Sequence, residues 1–167
     1  MKRVYAREEV CVGCKLCEVY CATAHSEYPL DIVKAFLKQK TKPLPRILVE
    51  DNLSISFALQ CRHCEEAPCT KACISGAMQK DLVTGIVRND ESRCVGCWTC
   101  ILACPFGAIR RDNQGHKVAS KCDLCSNGAD DSDPANTSKV PICVQNCPNR
   151  ALEFIDSGID SGIEGGE

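Results

Sequence analysis

Sixteen cysteines stand in four quartets, at Cys11, Cys14, Cys17 and Cys21; Cys61, Cys64, Cys69 and Cys73; Cys94, Cys97, Cys100 and Cys104; and Cys122, Cys125, Cys143 and Cys147, with none left over. The first and third quartets read C-x2-C-x2-C-x3-C, and Pro105 and Pro148 follow the last cysteine of the third and fourth. An iron–sulfur cubane needs four soft donors at the corners of a tetrahedron, and thiolates suit iron well. Three cysteines within seven residues supply three corners from one loop. Gly13 and Gly96 let that loop adopt positive φ and approach closely, so its amides can point at cluster sulfurs. The fourth cysteine lies four residues on, where a helix is expected to begin, and from there it can reach a different cluster, as in paired-cluster ferredoxins. The count predicts four 4Fe-4S clusters, with iron held by these sixteen cysteines, and their chemistry is single-electron transfer.

Other uses of cysteine fit less well. Zinc sites join two separated Cys-x2-Cys knuckles, whereas here three cysteines twice crowd into one run, and no basic nucleic-acid face accompanies them. A disulfide scaffold is expected to carry a secretion signal. A catalytic cluster needs an open iron position, but sixteen thiolates for four cubanes leave none. The three histidines come with no convincing nucleophile, base or phosphate loop, so no catalytic residue is expected. His63, between two cysteines, is expected to hydrogen-bond or pack rather than ligate, and Trp98, between Cys97 and Cys100, to shield a cluster from water.

The elements that must position these ligands are short. Only eight of the 167 residues are aromatic, so much of the cohesion has to come from the metal, and the cluster-free chain is expected to be largely unfolded. The formal charge of -2 counts each cysteine as neutral. Four thiolate-ligated clusters of about 2- each would take the loaded protein to roughly -10, which invites no nucleic acid. The basic runs at Lys34, Lys38, Lys40 and Lys42 and at Arg110 and Arg111 read as solvated faces. The N-terminal MKRVYAREEV shows no hydrophobic stretch or twin-arginine signal, and no run of about 18 apolar residues follows. Neither export under its own signal nor a membrane span is expected, and a cytoplasmic location is.

Internal repetition organises the chain. Cys73-Ile-Ser-Gly-Ala-Met and Cys104-Pro-Phe-Gly-Ala-Ile each read as a helical turn followed by a hairpin, with turns at Thr84-Gly85 and Asn113-Gln114-Gly115. Cys147-Pro-Asn-Arg-Ala leads into a final strand. In the cysteine-free stretch 22–60, Asp31 is expected to cap a short helix with Ile32, Val33, Phe36 and Leu37 on one face. Strands over 46–50 and 54–59 should then flank an Asp51-Asn52 turn, and this segment reads as a supporting hairpin. Residues 126–140 read as a surface loop, and 156–167 as a flexible, acidic, Gly-rich tail; the alternative for the tail is docking on a partner.

The second quartet is widened by Pro68 and the fourth is split by seventeen residues, so these are not two generic ferredoxins in tandem. The runs LQCRHCEEAPC from Leu59, CVGCWTCILACPFGAI from Cys94 and KCDLC from Lys121 resemble the four-cluster electron-transfer subunits of the dimethyl sulfoxide reductase B-subunit type, over residues 1 to about 155. The compact length and the opening CKLCEVYCA from Cys14 are most similar to the form associated with carbon monoxide dehydrogenase. Related forms serve tungsten aldehyde oxidoreductase, formate dehydrogenase and hydrogenase.

The resemblance implies nested ligand sets. Cys11, Cys14 and Cys17 would join Cys147; Cys122, Cys125 and Cys143 would join Cys21; Cys61, Cys64 and Cys69 would join Cys104; and Cys94, Cys97 and Cys100 would join Cys73. It implies an α+β fold of two ferredoxin-like modules in pseudo-symmetric arrangement, with short helices, hairpins and long loops. Residues 1–58 and 117–155 would form the outer module, 59–116 the inner one, and 156–167 the tail. The implied role is a non-catalytic relay between a catalytic redox subunit and a second donor or acceptor. A freely diffusing polyferredoxin is the alternative, and self-association has no residue-level support.

Overall fold

The structure is a computed structural model that describes residues 2–29, 31–52, 54–112, 118–126 and 140–156. The predicted turn at Asn113-Gln114-Gly115, the loop interior 127–139 and the tail 157–167 lie outside the described residues. Thirteen short elements follow in order: β1 Lys2–Ala6, α1 Leu16–Ala24, α2 Ile32–Leu37, β2 Leu48–Asn52, β3 Ile55–Leu59, α3 Pro68–Lys71, β4 Met78–Lys80, β5 Val87–Asn89, α4 Thr99–Ala103, β6 Ile109–Arg111, β7 Ala119–Lys121, α5 Ile142–Gln145 and β8 Leu152–Asp156. The protein is thus a small α+β structure of short helices and hairpins. Among the described residues no helix is long and apolar enough to cross a membrane.

Every sheet is a two-stranded antiparallel ribbon: β1 with β8, β2 with β3, β4 with β5, and β6 with β7. The first ribbon joins the two ends of the chain, with Lys2 opposite Asp156 and Ala6 opposite Leu152. Strands β4, β6 and β8 are each launched by the same local device. Three residues after Cys73, Cys104 and Cys147 stand Gly76, Gly107 and Arg150, at φ of 64, 62 and 51°. Their amides donate to the cysteine carbonyls at 3.2, 3.4 and 3.2 Å, and a buried alanine follows each. Arg150 thus holds a left-handed conformation that the other two copies give to glycine. The first quartet departs from the repeat, because α1 continues past Cys21 to Ala24.

The segment between the first two quartets differs from expectation in two respects. Asp31 caps α2 as predicted, accepting from the Lys34 amide at 2.9 Å. The buried residue of α2, however, is Ala35, while Val33 and Leu37 are exposed and Ile32 and Phe36 are only marginally less so. In a helix of six residues the small side chain permits the close approach, so the apolar face does not turn inward. Asp51 and Asn52 are not a turn. Both lie within β2, opposite Ser56 and Ile55, and the Asp51 carboxylate accepts from the Ser56 hydroxyl at 3.0 Å, which extends the ribbon past the expected bend. The predicted turn at Thr84-Gly85 does close β4 onto β5, with Asp81 Oδ1 accepting from the amides of Val83 and Thr84 at 2.8 and 3.0 Å.

Cysteine takes a structural place in both cores. One gathers Val4, Ile47, Val49, Leu124 and Leu152 around Cys17, Cys21, Cys61, Cys122 and Cys143. The other gathers Met78, Val87 and Ile109 around Cys69 and Cys100. Cys104 packs against both.

Candidate metal centres

The local fold sets the third and fourth cysteines of each quartet apart. Helices α1, α3, α4 and α5 carry the third cysteine of their quartets, namely Cys17, Cys69, Cys100 and Cys143. The fourth cysteine lies four residues on, at or past the helix end in three copies and within α1 in the first. The expectation that a helix begins at the fourth cysteine is therefore corrected: the helix begins just before the third and acts as a one-turn spacer. One turn separates the two sulfurs by about 5–6 Å along the axis, so they can face different cavities.

The loops before these helices are bent by left-handed residues. Gly13 and Gly96 lie at φ of 64 and 67°, and Lys15 and Trp98 repeat each other at 59 and 65°. A Cβ on Gly13 would meet the Ser56 hydroxyl at 2.8 Å, so this glycine also admits the β2–β3 ribbon. His63, Ala67, Leu124 and Cys125 supply the corresponding bends in the other two loops.

The folded chain brings distant cysteines together. Cys11, Cys14, Cys17 and Cys147 line one cavity, walled by Val49, Ala58 and Leu152. Cys61, Cys64, Cys69 and Cys104 line a second, walled by Val87, Phe106 and Ile109. Burial, and then the charges of Cys122, Cys21, Cys125 and Cys17, push the Cys143 thiol well above its ordinary value. Cys100 is raised likewise by burial and by Cys94, Cys73 and Cys97. These groups, drawn from different parts of the chain, also adjoin one another. Cys17, Cys21, Cys61, Cys122 and Cys143 share one core.

These gatherings suit a cubane rather than a lone ion. A zinc ion needs its sulfurs within about 2.3 Å of one point. Among the described residues no group of three or more His, Cys, Asp or Glu side chains is placed to hold a single metal ion; the cysteines line cavities. Donors are already aimed at sulfur. The amides of Arg46, Met78 and Ala151 reach Cys21, Cys73 and Cys147 at 3.2, 3.3 and 3.2 Å, and those of His63 and Leu124 reach Cys61 and Cys122 at 3.4 Å each. Such bonds favour thiolate. Burial works against it, holding Cys17 and Cys125 up at about 12 and Cys69 at about 11. Iron's positive charge is what offsets that burial when the thiols ionise.

A buried ionic network unmarked by any sequence motif flanks Cys122 and Cys125. Asp123 is 3% exposed; its Oδ1 accepts from His25 Nε2 and the Cys125 amide, both at 3.0 Å, and its Oδ2 from Arg46 Nη1 at 2.7 Å. His25 Nδ1 lies 2.8 Å from the Cys21 carbonyl oxygen. Both ring nitrogens therefore face acceptors, so both carry protons. Burial opposes that charge on His25, but the bonds to Asp123 and Cys21 outweigh it and raise the pKa from 6.5 to about 9. Asp123 is held below the usual carboxylate range, because the His25 bond and the Arg46 charge overcome its burial.

The sign of the pH dependence follows from these shifts. Because the folded pKa of His25 lies above the unfolded one, its contribution to stability is complete below about 6.5 and is lost as pH rises through about 9. Anaerobic urea melts are expected to weaken across that window, and His25→Gln to flatten the trend; an unchanged slope in the variant would assign it to other groups.

The two residues singled out beside the ligands have definite places. His63 is fully buried, and its Nδ1 accepts from the Val87 amide at 3.0 Å, a hydrogen-bonding role. Trp98 is half-buried at the start of α4, with the Arg111 guanidinium 4.7 Å from its ring centroid. His25, Arg46, Asp123 and Lys121 escaped sequence reasoning. For Asp123 and Lys121 the available signal was a charged residue beside or between buried ligands, which must find a partner.

Residues 54–157 match the 4Fe-4S dicluster domain family. The chain is 38% identical over 167 residues to the electron transport protein HydN of Escherichia coli strain K12, covering 92% of this chain and 87% of that protein. It is 36% identical over 166 residues to an iron-sulfur protein of Rhodospirillum rubrum, covering 92% and 81%. It is also 36% identical over 152 residues to the B subunit of the anaerobic dimethyl sulfoxide reductase of E. coli strain K12, covering 86% and 68%. Sixteen cysteines arranged to serve clusters, in a chain this similar to electron-transport proteins, place it in one group: it belongs to the 4Fe-4S dicluster family of ferredoxin-type electron-transfer subunits, and its cofactors are four 4Fe-4S clusters.

Proposed function

We propose that this chain is a non-catalytic relay carrying single electrons between a catalytic redox subunit and a second redox protein. Its ligand sets are Cys11, Cys14, Cys17 and Cys147; Cys122, Cys125, Cys143 and Cys21; Cys61, Cys64, Cys69 and Cys104; and Cys94, Cys97, Cys100 and Cys73. The cavities and close approaches described above support each set. A bound 4Fe-4S cluster takes up and gives back one electron. The chain's own part is to hold the sulfurs, aim amides at them and exclude water.

The observation that carries the reading is the distribution of exposure. Ordered by the core that Cys17, Cys143, Cys122 and Cys61 share and by the core that Cys69 and Cys100 share, the sets form a series. Its first set includes the exposed Cys14 and its last the exposed Cys97, while the two inner sets have no exposed cysteine. Val12 and Leu16, two residues either side of Cys14, and Val95 and Leu102, near Cys97 in the chain, are all exposed. A conductor insulated along its middle and open at two apolar ends suits docking by two partners.

Residues 1–58 with 117–155 form the outer module of this reading and 59–116 the inner, in pseudo-symmetric arrangement, with 156–167 as a tail. The pairing of β1 with β8 and the thrice-repeated turn support it, and the β6–β7 hairpin crosses between the modules. Motif resemblance ranks carbon monoxide dehydrogenase first as the catalytic partner, ahead of tungsten aldehyde oxidoreductase, formate dehydrogenase and hydrogenase. Reduced-thiol chemistry supports a cytoplasmic location for the complex. Anaerobic affinity purification of the full chain from its own cells is expected to return one catalytic redox protein in stoichiometric amount. Recovery of the loaded chain alone would favour a freely diffusing polyferredoxin, and a partner without a redox centre would sink the relay.

A further inference from the structure

Lys121 closes β7 directly before Cys122 and is 3% exposed. Its ammonium group donates to the Val87 carbonyl and, at 2.6 Å, to the Cys122 carbonyl. Val87, itself 1% exposed, donates its amide to His63 Nδ1, and His63 stands between Cys61 and Cys64. One short chain of bonds therefore links the loop of one inner ligand set to the loop of the other. The Asn89 amide adds a second tie between the same strands, donating to the Ala119 carbonyl at 2.8 Å.

The charges at this junction do not balance within the described residues. None of their carboxylates is paired with Lys121, because the neighbouring Asp123 is committed to His25 and Arg46. His63 adds no charge: its Nδ1 is an acceptor, so the single ring proton is on Nε2. A buried cation needs compensating negative charge. Here that charge is within reach on two sides, since Lys121 bonds to the carbonyl of the ligand Cys122 and to that of Val87, which walls the cavity of Cys61, Cys64, Cys69 and Cys104.

We propose that Lys121 is a fixed counter-charge shared by the two inner clusters, which favours their reduced forms and so eases the passage of an electron from one module to the other. The inference rests on the ligand sets proposed above. A fixed cation lowers the free energy of whichever neighbour becomes more negative, and low local polarity makes the effect large. Its position between two ligand sets, rather than beside an outlet, makes it a tuning residue for internal transfer and not for docking.

Anaerobic redox titration of the full, cluster-loaded chain, followed by electron paramagnetic resonance, tests this with Lys121→Gln and Lys121→Arg. Gln keeps N–H donors without charge, and Arg keeps the charge. In the Gln variant, two of the four clusters are expected to show an about tenfold lower reduced-to-oxidised ratio at fixed potential, equivalent to about 59 mV for one electron. The other two clusters should move less, and Arg should restore the wild-type values. Unmoved midpoints in Gln, equal movement of all four, or the same shift in Gln and Arg would overturn the proposal. If Gln prevents loading, iron and sulfide analysis decides: loading kept by Arg supports the charge, and loss in both variants overturns it. A wild-type protein that binds less than four clusters' worth of iron refutes the ligand sets instead.

Discussion

Stripping the iron from the purified protein with a chelator under anaerobic conditions is expected to abolish its cooperative fold, with loss of most far-ultraviolet dichroism and of any sharp thermal transition. No element can stand alone. The longest helix has nine residues and several have four or five, well short of what is stable in water, and isolated two-stranded ribbons are marginal. The largest fully buried side chains are only Ile47, His63, Val87 and Pro141, so hydrocarbon burial gives little compensation for ordering the chain. Cysteines fill the remaining centre. Without metal their thiols are held protonated by burial and only pack as small apolar groups, whereas with metal each proposed set ties two or three segments of the chain together. A metal-free protein that keeps native dichroism and melts cooperatively would show that the polypeptide core suffices.

Replacing Asp123 with Asn is expected to destabilise the loaded protein by about 3–5 kcal/mol, the range for removing one partner of a buried ionic network. The substitution is nearly isosteric, so the effect isolates charge and hydrogen-bonding sense. Three donors converge on the carboxylate, from His25, Arg46 and the Cys125 amide. An amide must turn its own N–H2 toward at least one of them, and Arg46 keeps a charge that its other contact, Glu91 at 3.7 Å on an exposed side chain, compensates weakly. Because Asp123 is almost fully buried, solvent screening does little to soften the loss. Anaerobic denaturation checks the magnitude, and a double-mutant cycle with His25→Gln apportions it. A change below about 1 kcal/mol would mean that the network behaves as a surface ion pair.

The sequence made the donors legible and left their geometry partly hidden. Cysteine spacing is a local property, so the ligand loops, the glycine bends and the repeated turn before β4, β6 and β8 could be read directly. The helix boundaries slipped by one turn, because spacing of i and i+4 fits a helix that begins at the fourth cysteine as well as one that contains the third. The α2 face was misjudged because a six-residue helix shows too little periodicity to reveal that Ala35 is its buried residue. The Asp123 network was invisible for a different reason: its bonds to His25 and Arg46 span 98 and 77 residues, and no local pattern encodes a meeting that distant.

The pairing of β1 with β8 carries a consequence for biosynthesis. A chain emerging from the ribosome presents Cys11, Cys14 and Cys17 well before the strand that pairs with their flanking segment and Cys147 beside it. With the proposed ligand sets, the two sites of residues 59–116 can be completed once Cys104 has emerged, whereas the other two stay open until Cys143 and Cys147 arrive. On those sets, the order in which complete ligand sets become available follows translation, from the middle of the chain outward, and a product truncated before Cys147 leaves its earliest thiols without their fourth partner.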